Sequence, residues 1–261
     1  MDSLWLTRCQ AYIRFHDLPG RDPALVFLHG LGSASSADFP AIVHRPGLSH
    51  YRFILPDFLG FGFSDRPQDF SYTLEAHAES VAEILKHLNL TGVYLFGHSM
   101  GGAVAVALAA AYPELVSKLV LAEANRDPGV GNISKLIAEQ TEVDYTAGGH
   151  AQLIQNCKVE GQKEPSFASY VGTVAITDPG AMYKSAVQLL KGTQPPQREL
   201  FLAMRIPRAF IFGEKSLPDP DVEHLSKVGI RTLIVPKAGH AMMDDNPDGF
   251  AAALIEAFGL N

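Results

Sequence analysis

The sequence predicts an α/β protein with a mostly parallel sheet, and three observations support that fold class. Six short apolar runs lack a clean alternation of apolar and polar residues, which is typical of strands buried on both faces. Helical patterns separate several of these runs, and such alternation favours right-handed crossovers with parallel pairing. Polar residues follow the runs directly, at the sheet edge where ligands of such proteins bind.

The predicted elements are assigned in chain order. Residues 4–8 and 10–16 carry β-formers, and the short link between them favours an antiparallel pair. The apolar runs that we assign to buried strands are 24–29, 51–56, 92–97, 117–123, 208–213 and 232–236. The clearest helical patterns are 73–88, 100–112 and 247–258. Together they predict an eight-stranded sheet with helices on both faces.

The segment 125–206 is too long for a simple crossover between two strands. It contains helical patterns near 133–140, 179–191 and 196–204. We expect it to form a helical cap inserted after the sixth strand, into a core domain made of residues 1–124 and 207–261.

Composition limits the partners. The chain has 261 residues and a formal net charge of −7, and its 21 Lys and Arg residues are scattered, which argues against nucleic acid because that partner needs clustered cations. The first residues lack a secretory pattern and no apolar stretch reaches the roughly 18 residues of a membrane span, so we expect a cytoplasmic protein without a membrane partner. Cys9 and Cys157 stand outside any metal-binding spacing. We expect a small-molecule substrate, no cofactor or metal, and a monomer or homodimer.

The motif G-H-S-M-G-G (97–102) indicates a nucleophile. It follows a predicted strand directly and opens a helix of small residues, the context in which Gly-x-Ser-x-Gly forms a sharp turn. Such a turn strains the serine backbone, and a side chain at either outer glycine would collide across it. Ser99 is therefore predicted to be the nucleophile, and the Met100 amide at the helix start an oxyanion donor. We expect the adjacent His98 to pack sideways and shape the turn.

The motif A-G-H (238–240) indicates the base. It lies after the last predicted strand and before the last helix, at the same sheet edge as Ser99. A histidine at that place can take the serine proton and return it to the leaving group, so His240 is predicted to be the general base.

The loop H-G-L-G (29–32) is predicted to supply the second oxyanion donor. Its glycines let the chain turn and approach a substrate closely. We assign the donor to the Leu31 amide, with Gly30 and Gly32 as alternatives.

With these motifs the sequence resembles the α/β-hydrolase fold family over essentially the whole chain. The segments that carry the resemblance, in the family's order, are 29–32, P-D-F-L-G-F-G-F-S-D (56–65), 97–102 and 238–240. The resemblance implies a mostly parallel sheet of eight strands, with Ser99 as nucleophile, His240 as base and an oxyanion hole shared between Met100 and the H-G loop. It also implies a structural role for Asp57. It implies no particular substrate, because fold and function separate readily.

The third member of the triad departs from the family pattern. Family members usually take their acid after the seventh strand, as an aspartate that follows G-E-x, but Ser216 stands at that place here. A neutral hydroxyl cannot stabilise an imidazolium as an anion does. Asp219 and Asp221 come a few residues later, where they look like the first residues of a helix.

Glu123 is the preferred acid. It ends the sixth predicted strand, and some family members, including haloalkane dehalogenases, resemble this sequence in taking their acid from there. A carboxylate at the end of an apolar strand costs several kcal/mol unless it is paired, and His240 is the natural partner. Asp219 and Asp221 remain the catalytic alternatives. A purely structural role, in which Glu123 caps backbone amides of the cap or pairs with Arg126, also stays open.

These residues predict a serine hydrolase that cleaves a carboxylic ester or related acyl bond through an acyl-enzyme. The cap carries apolar and aromatic side chains, Phe167, Tyr170 and Met182 among them, which favours a small apolar substrate. Two alternatives stay open: the same triad could open a lactone or cleave a carbon–carbon bond, or the fold could serve as a small-ligand receptor without turnover. Haloalkane dehalogenation is disfavoured because that chemistry needs a carboxylate nucleophile where Ser99 stands.

Overall fold

Eight strands form one sheet in the computed structural model, which describes residues 1–163 and 165–260, with the backbone alone at 165–167. The strands are β1 (Asp2–Leu6), β2 (Ala11–Leu18), β3 (Arg21–Leu28), β4 (Tyr51–Asp57), β5 (Val93–His98), β6 (Val116–Ala122), β7 (Arg208–Gly213) and β8 (Arg231–Val235). Their spatial order is β1-β2-β4-β3-β5-β6-β7-β8. The β1/β2 and β2/β4 pairs are antiparallel and the others parallel, so the predicted mostly parallel sheet is confirmed.

The register of the central strands brings their carboxyl ends together. Leu28 of β3 lies opposite Gly97 of β5, and His98 of β5 lies opposite Ala122 of β6. The loops that follow these three strands therefore leave the sheet side by side, at the edge where we expect a ligand.

Helices cover both faces of the sheet. Those outside the predicted cap are α1 (Ser35–Asp38), α2 (Pro40–Val43), α3 (Leu74–His87), α4 (Met100–Ala111), α11 (Asp221–Lys227), α12 (Met242–Asp245) and α13 (Pro247–Phe258). A short 3₁₀ turn, Glu214–Ser216, follows β7. The predicted helices 73–88, 100–112 and 247–258 correspond closely to α3, α4 and α13.

Local chemistry sets the helix limits. The Thr73 hydroxyl accepts a hydrogen bond from the Ala76 amide at 3.1 Å and so caps α3. At the other end of the chain, Asn246 caps α13, and Gly259 ends that helix with φ +60. Both helices thus begin at ordinary capping residues, and α13 also ends at one.

The core consists of two apolar clusters, one on each face of the sheet. Alternate residues of β3 divide between them: Val26 and Leu28 face the cluster with α3 and α4, whereas Leu25 and Phe27 face the cluster with α13. Helix α4 is buried from Met100 to Ala109, because its small side chains let it lie close to the sheet. This packing holds the start of α4 firmly against the strand ends.

The chain between β6 and β7 is largely helical. Its helices are α5 (Asn132–Ala138), α6 (Glu142–Asp144), α7 (His150–Gly161), α8 (Pro165–Ile176), α9 (Pro179–Lys191) and α10 (Gln197–Ala203), with a π-helical turn at Tyr145–Gly149. The sequence predicted α5, α9 and α10 but missed α7 and α8. In α7 only His150, Leu153 and Cys157 are buried, which leaves a weak apolar pattern. The division into a core and a cap stays a prediction.

No helix in the part of the chain that the structure describes combines the length and apolar character of a bilayer span.

Candidate active site

The turn from β5 into α4 places Ser99 at the sheet edge with a strained backbone. Its φ of 52° and ψ of −122° lie where residues with side chains rarely occur. A Cβ built on Gly97 would lie 2.4 Å from the Gly101 carbonyl oxygen, and one built on Gly101 would lie 2.4 Å from the Leu28 carbonyl oxygen. Both positions therefore require glycine, as expected, and the half-buried Ser99 side chain is left at the apex of the turn.

The two backbone amides predicted as oxyanion donors are without an acceptor in the described part of the structure. The loop after β3 passes close to the serine, because a Cβ built on Gly30 would lie 3.2 Å from Ser99 Cβ. Neither the Leu31 amide nor the Met100 amide has an acceptor among the residues that the structure describes. Both can therefore donate to an anion without breaking a protein hydrogen bond.

His29 fixes the peptide that joins Gly30 and Leu31 in that loop. The Phe58 amide donates to His29 Nε2 at 3.0 Å, so the ring proton is on Nδ1, which donates to the Gly30 carbonyl at 2.8 Å. Burial lowers the pKa of His29 to about 4 and keeps it neutral. A planar trans peptide points its N–H away from its carbonyl, so this bond fixes the direction of the Leu31 N–H. No motif or spacing in the sequence indicated this role for His29.

His240 lies in the loop between β8 and α12, and His98 holds that loop. His98 Nε2 donates to the His240 carbonyl at 2.8 Å, and the two rings are 4.8 Å apart. Burial, together with the nearby His240, lowers the pKa of His98 to about 3, so its ring is neutral. The side chain of His240 is 59% exposed. The residue adjacent to Ser99 thus fixes the backbone of the predicted base, a contact that goes beyond the packing role expected for His98.

Glu123 directly follows β6 and faces His240. Its Oε2 lies 3.6 Å from His240 Nδ1, and its Oε1 accepts from the Gly213 amide at 2.8 Å. The 3.6 Å separation is too long for a hydrogen bond, and an approach of about 0.7 Å would make it an ordinary one. Burial alone would raise the pKa of the Glu123 carboxyl, but His240, the Gly213 amide and the Ser216 hydroxyl hold it below its ordinary value.

Ser216 therefore has a part in the arrangement after all. It stands where family members usually have their aspartate, and its hydroxyl is one of the groups that lower the pKa of the Glu123 carboxyl. Where the family usually has an acid, this chain has a serine near the carboxylate of Glu123. From the sequence alone, position 216 indicated only that the usual acid is missing.

The two alternative acids are paired with arginines. Arg126 lies 2.7 Å from Asp219 and 2.6 Å from Asp221, and Arg198 lies 2.8 Å from Asp221. Hydrogen bonding to Arg198 lowers the pKa of Asp221, which starts α11 as the sequence suggested. Arg126 contacts these aspartates, so its alternative pairing with Glu123 is not observed. The carboxylate in contact with His240 is that of Glu123.

The remaining predicted residues lie outside this arrangement. Asp57 accepts hydrogen bonds from the amides of Ser36 and Phe63, both at 3.0 Å, which agrees with the structural role implied for it. Cys9 and Cys157 are unpaired thiols. Residues 1–163 and 165–260 contain no group of three His, Cys, Asp or Glu side chains arranged to hold a metal ion.

Comparison with known proteins places the chain in a family. Residues 23–156, just over half of the chain, match the family model described as the alpha/beta hydrolase fold. The chain is an α/β-hydrolase. The predicted family, fold class and enzyme class are thereby confirmed.

Relatives of this α/β-hydrolase have several activities. Haloalkane dehalogenase 2 of Mycobacterium tuberculosis is 26% identical over 275 residues, which cover 99% of this chain and 95% of that protein. A 2-hydroxy-6-oxo-2,4-heptadienoate hydrolase of Pseudomonas putida is 40% identical over 107 residues, 41% of this chain and 38% of that protein. The enol-lactonase from Burkholderia xenovorans LB400 superimposes with a TM-score of 0.81 at 19% identity, over 99% of this chain and all of that one, which shows a shared fold.

Proposed function

We propose that this α/β-hydrolase cleaves a carboxylic ester, or a related acyl bond, of a small apolar substrate through an acyl-enzyme on Ser99. The observation that supports this most is a juxtaposition at the ends of β3, β5 and β6. Ser99 stands on a strained turn beside two amides without acceptors, His98 fixes the backbone of His240, and Glu123 lies 3.6 Å from the His240 ring.

The reaction follows from these positions. Ser99 Oγ attacks the carbonyl carbon while His240 takes its proton, and the oxyanion is held by the amides of Met100 and Leu31. Glu123 stabilises the imidazolium, which then gives its proton to the departing alcohol. Water attacks the acyl-enzyme with His240 again as base, and the carboxylic acid leaves. Loss of one oxyanion donor typically costs about 3 kcal/mol of transition-state stabilisation.

The nucleophile argues for acyl transfer over dehalogenation, although one relative is named a haloalkane dehalogenase. Displacement of a halide needs a carboxylate nucleophile whose ester is then hydrolysed. The residue at the turn between β5 and α4 is Ser99, whose hydroxyl suits attack on a carbonyl and not displacement of a halide. What this chain has in common with dehalogenases is the acid after β6, and that acid serves the histidine in either chemistry.

Apolar side chains of the predicted cap pack against the oxyanion loop, residues 29–32. Met182 and Val174 are fully buried there, so an apolar substrate is expected from the composition of the cap. A Cβ built on Gly32 would lie 2.8 Å from Met182 Cε and 3.0 Å from Val174 Cγ2, so both side chains lie against this loop. The Tyr170 hydroxyl lies there too. The third cap residue singled out in the sequence, Phe167, has a side chain outside the described part of the structure.

The same residues would also serve two related reactions. A lactone is a cyclic ester and needs no change of mechanism. Hydrolysis of a carbon–carbon bond next to a ketone is the other candidate, and the resemblance to a 2-hydroxy-6-oxo-2,4-heptadienoate hydrolase favours its inclusion in any test.

One panel of substrates tests the proposal. The wild-type enzyme and Ser99→Ala would be assayed on p-nitrophenyl esters of two to eight acyl carbons, on γ- and δ-lactones, on a diketone and on a chloroalkane. We expect ester turnover that falls by at least about 10³-fold in Ser99→Ala. Turnover of the chloroalkane alone, or tight binding of these compounds without any turnover, would contradict the proposal; the second result would support a ligand receptor.

The predicted partners and location stay proposals. A small molecule as the sole partner, a monomer or homodimer, and a cytoplasmic location are expected from composition alone. Size-exclusion chromatography with light scattering and cell fractionation would measure them.

A further inference from the structure

Two adjacent residues of helix α8 contact the loop that carries the predicted donor and the short helix α12 that follows the predicted base. The Tyr170 hydroxyl donates to the Leu31 carbonyl at 2.9 Å. The Ser169 hydroxyl donates to Asp244 at 2.9 Å, and Asp244 belongs to α12, which begins two residues after His240. One turn of α8 thus connects the oxyanion loop with α12.

The bond from Tyr170 completes the anchoring of Leu31. The peptide before Leu31 is fixed from the core side, because the Gly30 carbonyl accepts from His29 Nδ1 at 2.8 Å and from the Ser33 amide at 3.2 Å. The peptide after Leu31 is fixed from the cap side by Tyr170. With both flanking peptides held, the backbone dihedral angles of Leu31 are set, and so is the direction of its N–H.

The cap and this loop fit so closely that the tyrosine hydroxyl has a defined place. A Cβ built on Gly32, which has φ +74, would lie only 2.5 Å from the Tyr170 hydroxyl oxygen. Met182 and Val174 surround the same glycine with apolar atoms, and these can give the Leu31 carbonyl no hydrogen bond. Burial also raises the pKa of the Tyr170 hydroxyl well above its ordinary value, so it stays protonated and can donate throughout any practical assay range.

We propose that Tyr170 is a positioning residue that holds the Leu31 amide in the direction required for oxyanion binding, so that the cap completes the oxyanion hole from outside the core. Tyr170 acts through the Leu31 backbone and needs no contact with the substrate. This inference rests on the proposed function, because it assigns a task to the oxyanion loop.

The chain offers a matched control for the test. Tyr183, in α9 of the same cap, also donates its hydroxyl to a backbone carbonyl, that of Gln140 at 3.0 Å. Tyr183→Phe therefore removes the same kind of bond at a place away from the oxyanion loop. Tyr170→Phe removes only the hydroxyl and keeps the ring.

Three measurements on the full-length enzyme would compare wild type, Tyr170→Phe and Tyr183→Phe. For the ester that the wild type turns over best, Tyr170→Phe is expected to lower kcat roughly tenfold, with KM within about twofold. The affinity for an alkyl boronic acid, which forms a tetrahedral anion on the serine, should fall in parallel with kcat. Hydrogen–deuterium exchange of peptides covering residues 29–34 should be roughly fivefold faster. Tyr183→Phe should match the wild type in all three.

The outcomes separate this inference from the proposed function. Unchanged kcat and boronate affinity in Tyr170→Phe, with an active wild type, would overturn the inference and leave the serine hydrolase intact. An inactive wild type that also forms no covalent adduct at Ser99 with a phosphonate would defeat the proposed function. In that case exchange at 29–34 still decides whether Tyr170 holds the loop, and unchanged exchange overturns the inference on its own.

Discussion

Ser99 and Glu123 leave neighbouring strands with positive φ angles of 52° and 45°. The register that pairs His98 with Ala122 makes them the next residues on β5 and β6, and the Ser99 amide still donates to the Ala122 carbonyl at 3.0 Å. Such conformations cost of order 1–3 kcal/mol each and persist where the surrounding structure enforces them. Here they occur at the two residues that directly follow β5 and β6, one with a hydroxyl and the other with the carboxylate that faces His240.

Substitution of Glu123 tests its predicted role as the acid that faces His240. Glu123→Gln keeps the side-chain shape but removes the charge that faces His240, so kcat for an ester should fall by about 10³- to 10⁴-fold. Asp219→Asn is the matched control, because Asp219 pairs with Arg126 and not with His240. It should keep kcat within a few fold. Near-wild-type kcat in Glu123→Gln together with a collapse in Asp219→Asn would reverse the assignment.

At the scale of single residues, the sequence predicted the chemistry but not the supporting contacts. The spacing around Ser99 and the position of His240 were readable because each motif directly follows a strand. The Ser216 hydroxyl beside Glu123 and the bond from His98 to the His240 carbonyl depend on the meeting of loops from different strands. No periodicity or spacing encodes such contacts. The histidine inside the serine motif was the available signal for the second of them.

At the scale of elements, the junction of β5 and α4 is the part whose geometry leaves least freedom. A helix can start against the strand ends only if its first turn carries no bulk toward β3. A Cβ on Gly101 would lie within 2.5 Å of two backbone oxygens, those of Leu28 and His29, and backbone atoms cannot move aside as a flexible side chain would. The close packing of α4 on the sheet and the exposure of the serine thus have one cause.

Substitution of helical glycines measures this constraint. Gly101→Ala is expected to destabilise the protein by several kcal/mol or to prevent folding, because the new methyl group collides with backbone. Gly172→Ala, in α8, is the control: no atom lies within 4 Å of its built Cβ, so a gain of about 0.5–1 kcal/mol is expected from helix propensity. Urea unfolding of both variants provides the comparison. Equal unfolding free energies would show that the turn between β5 and α4 tolerates a methyl group at position 101.

The elements that sequence reasoning missed have a common physical feature. Helix α7 buries only three residues. In α8 the apolar residues are not gathered on one side of the helix. Neither helix therefore shows the apolar stripe that indicated α3 and α9. Their stability depends on contacts with each other and with the site loops, which are set by the tertiary structure. Strand limits, by contrast, lie within three residues of the prediction, and those of β7 match it, because apolar runs mark buried strands well.

At the scale of the whole molecule, burial lowers the pKa of four histidines, His29, His77, His98 and His150, and so couples stability to pH. Burial lowers the pKa of His29 to about 4 and those of His77 and His98 to about 3. Each stays neutral in the folded protein while the unfolded chain takes up a proton below about 6.5, so stability falls on acidification. Asp38 acts in the opposite direction: burial and neighbouring carboxylates raise its pKa to about 7, so its protonation favours the folded state as pH falls.

One histidine allows this coupling to be measured away from the site. His77 lies among aromatic rings, with Phe58 at 4.9 Å and Phe70 at 5.4 Å between ring centres, so His77→Phe suits its surroundings. Between pH 7.5 and 5 the variant should lose about 2 kcal/mol less unfolding free energy than the wild type. His87→Phe, exposed on the same helix, should leave the slope unchanged. Identical slopes in all three proteins would contradict the coupling.

The central claim is that Ser99, His240 and Glu123 act together to make the serine a nucleophile. Its most direct test is the rate at which an alkyl fluorophosphonate modifies the enzyme, followed by intact-protein mass spectrometry and peptide mapping. We expect one adduct per chain, located on Ser99, that forms far more slowly in His240→Ala and Glu123→Gln and is absent in Ser99→Ala. A folded wild-type protein that forms no adduct, or an adduct on another residue, would contradict it.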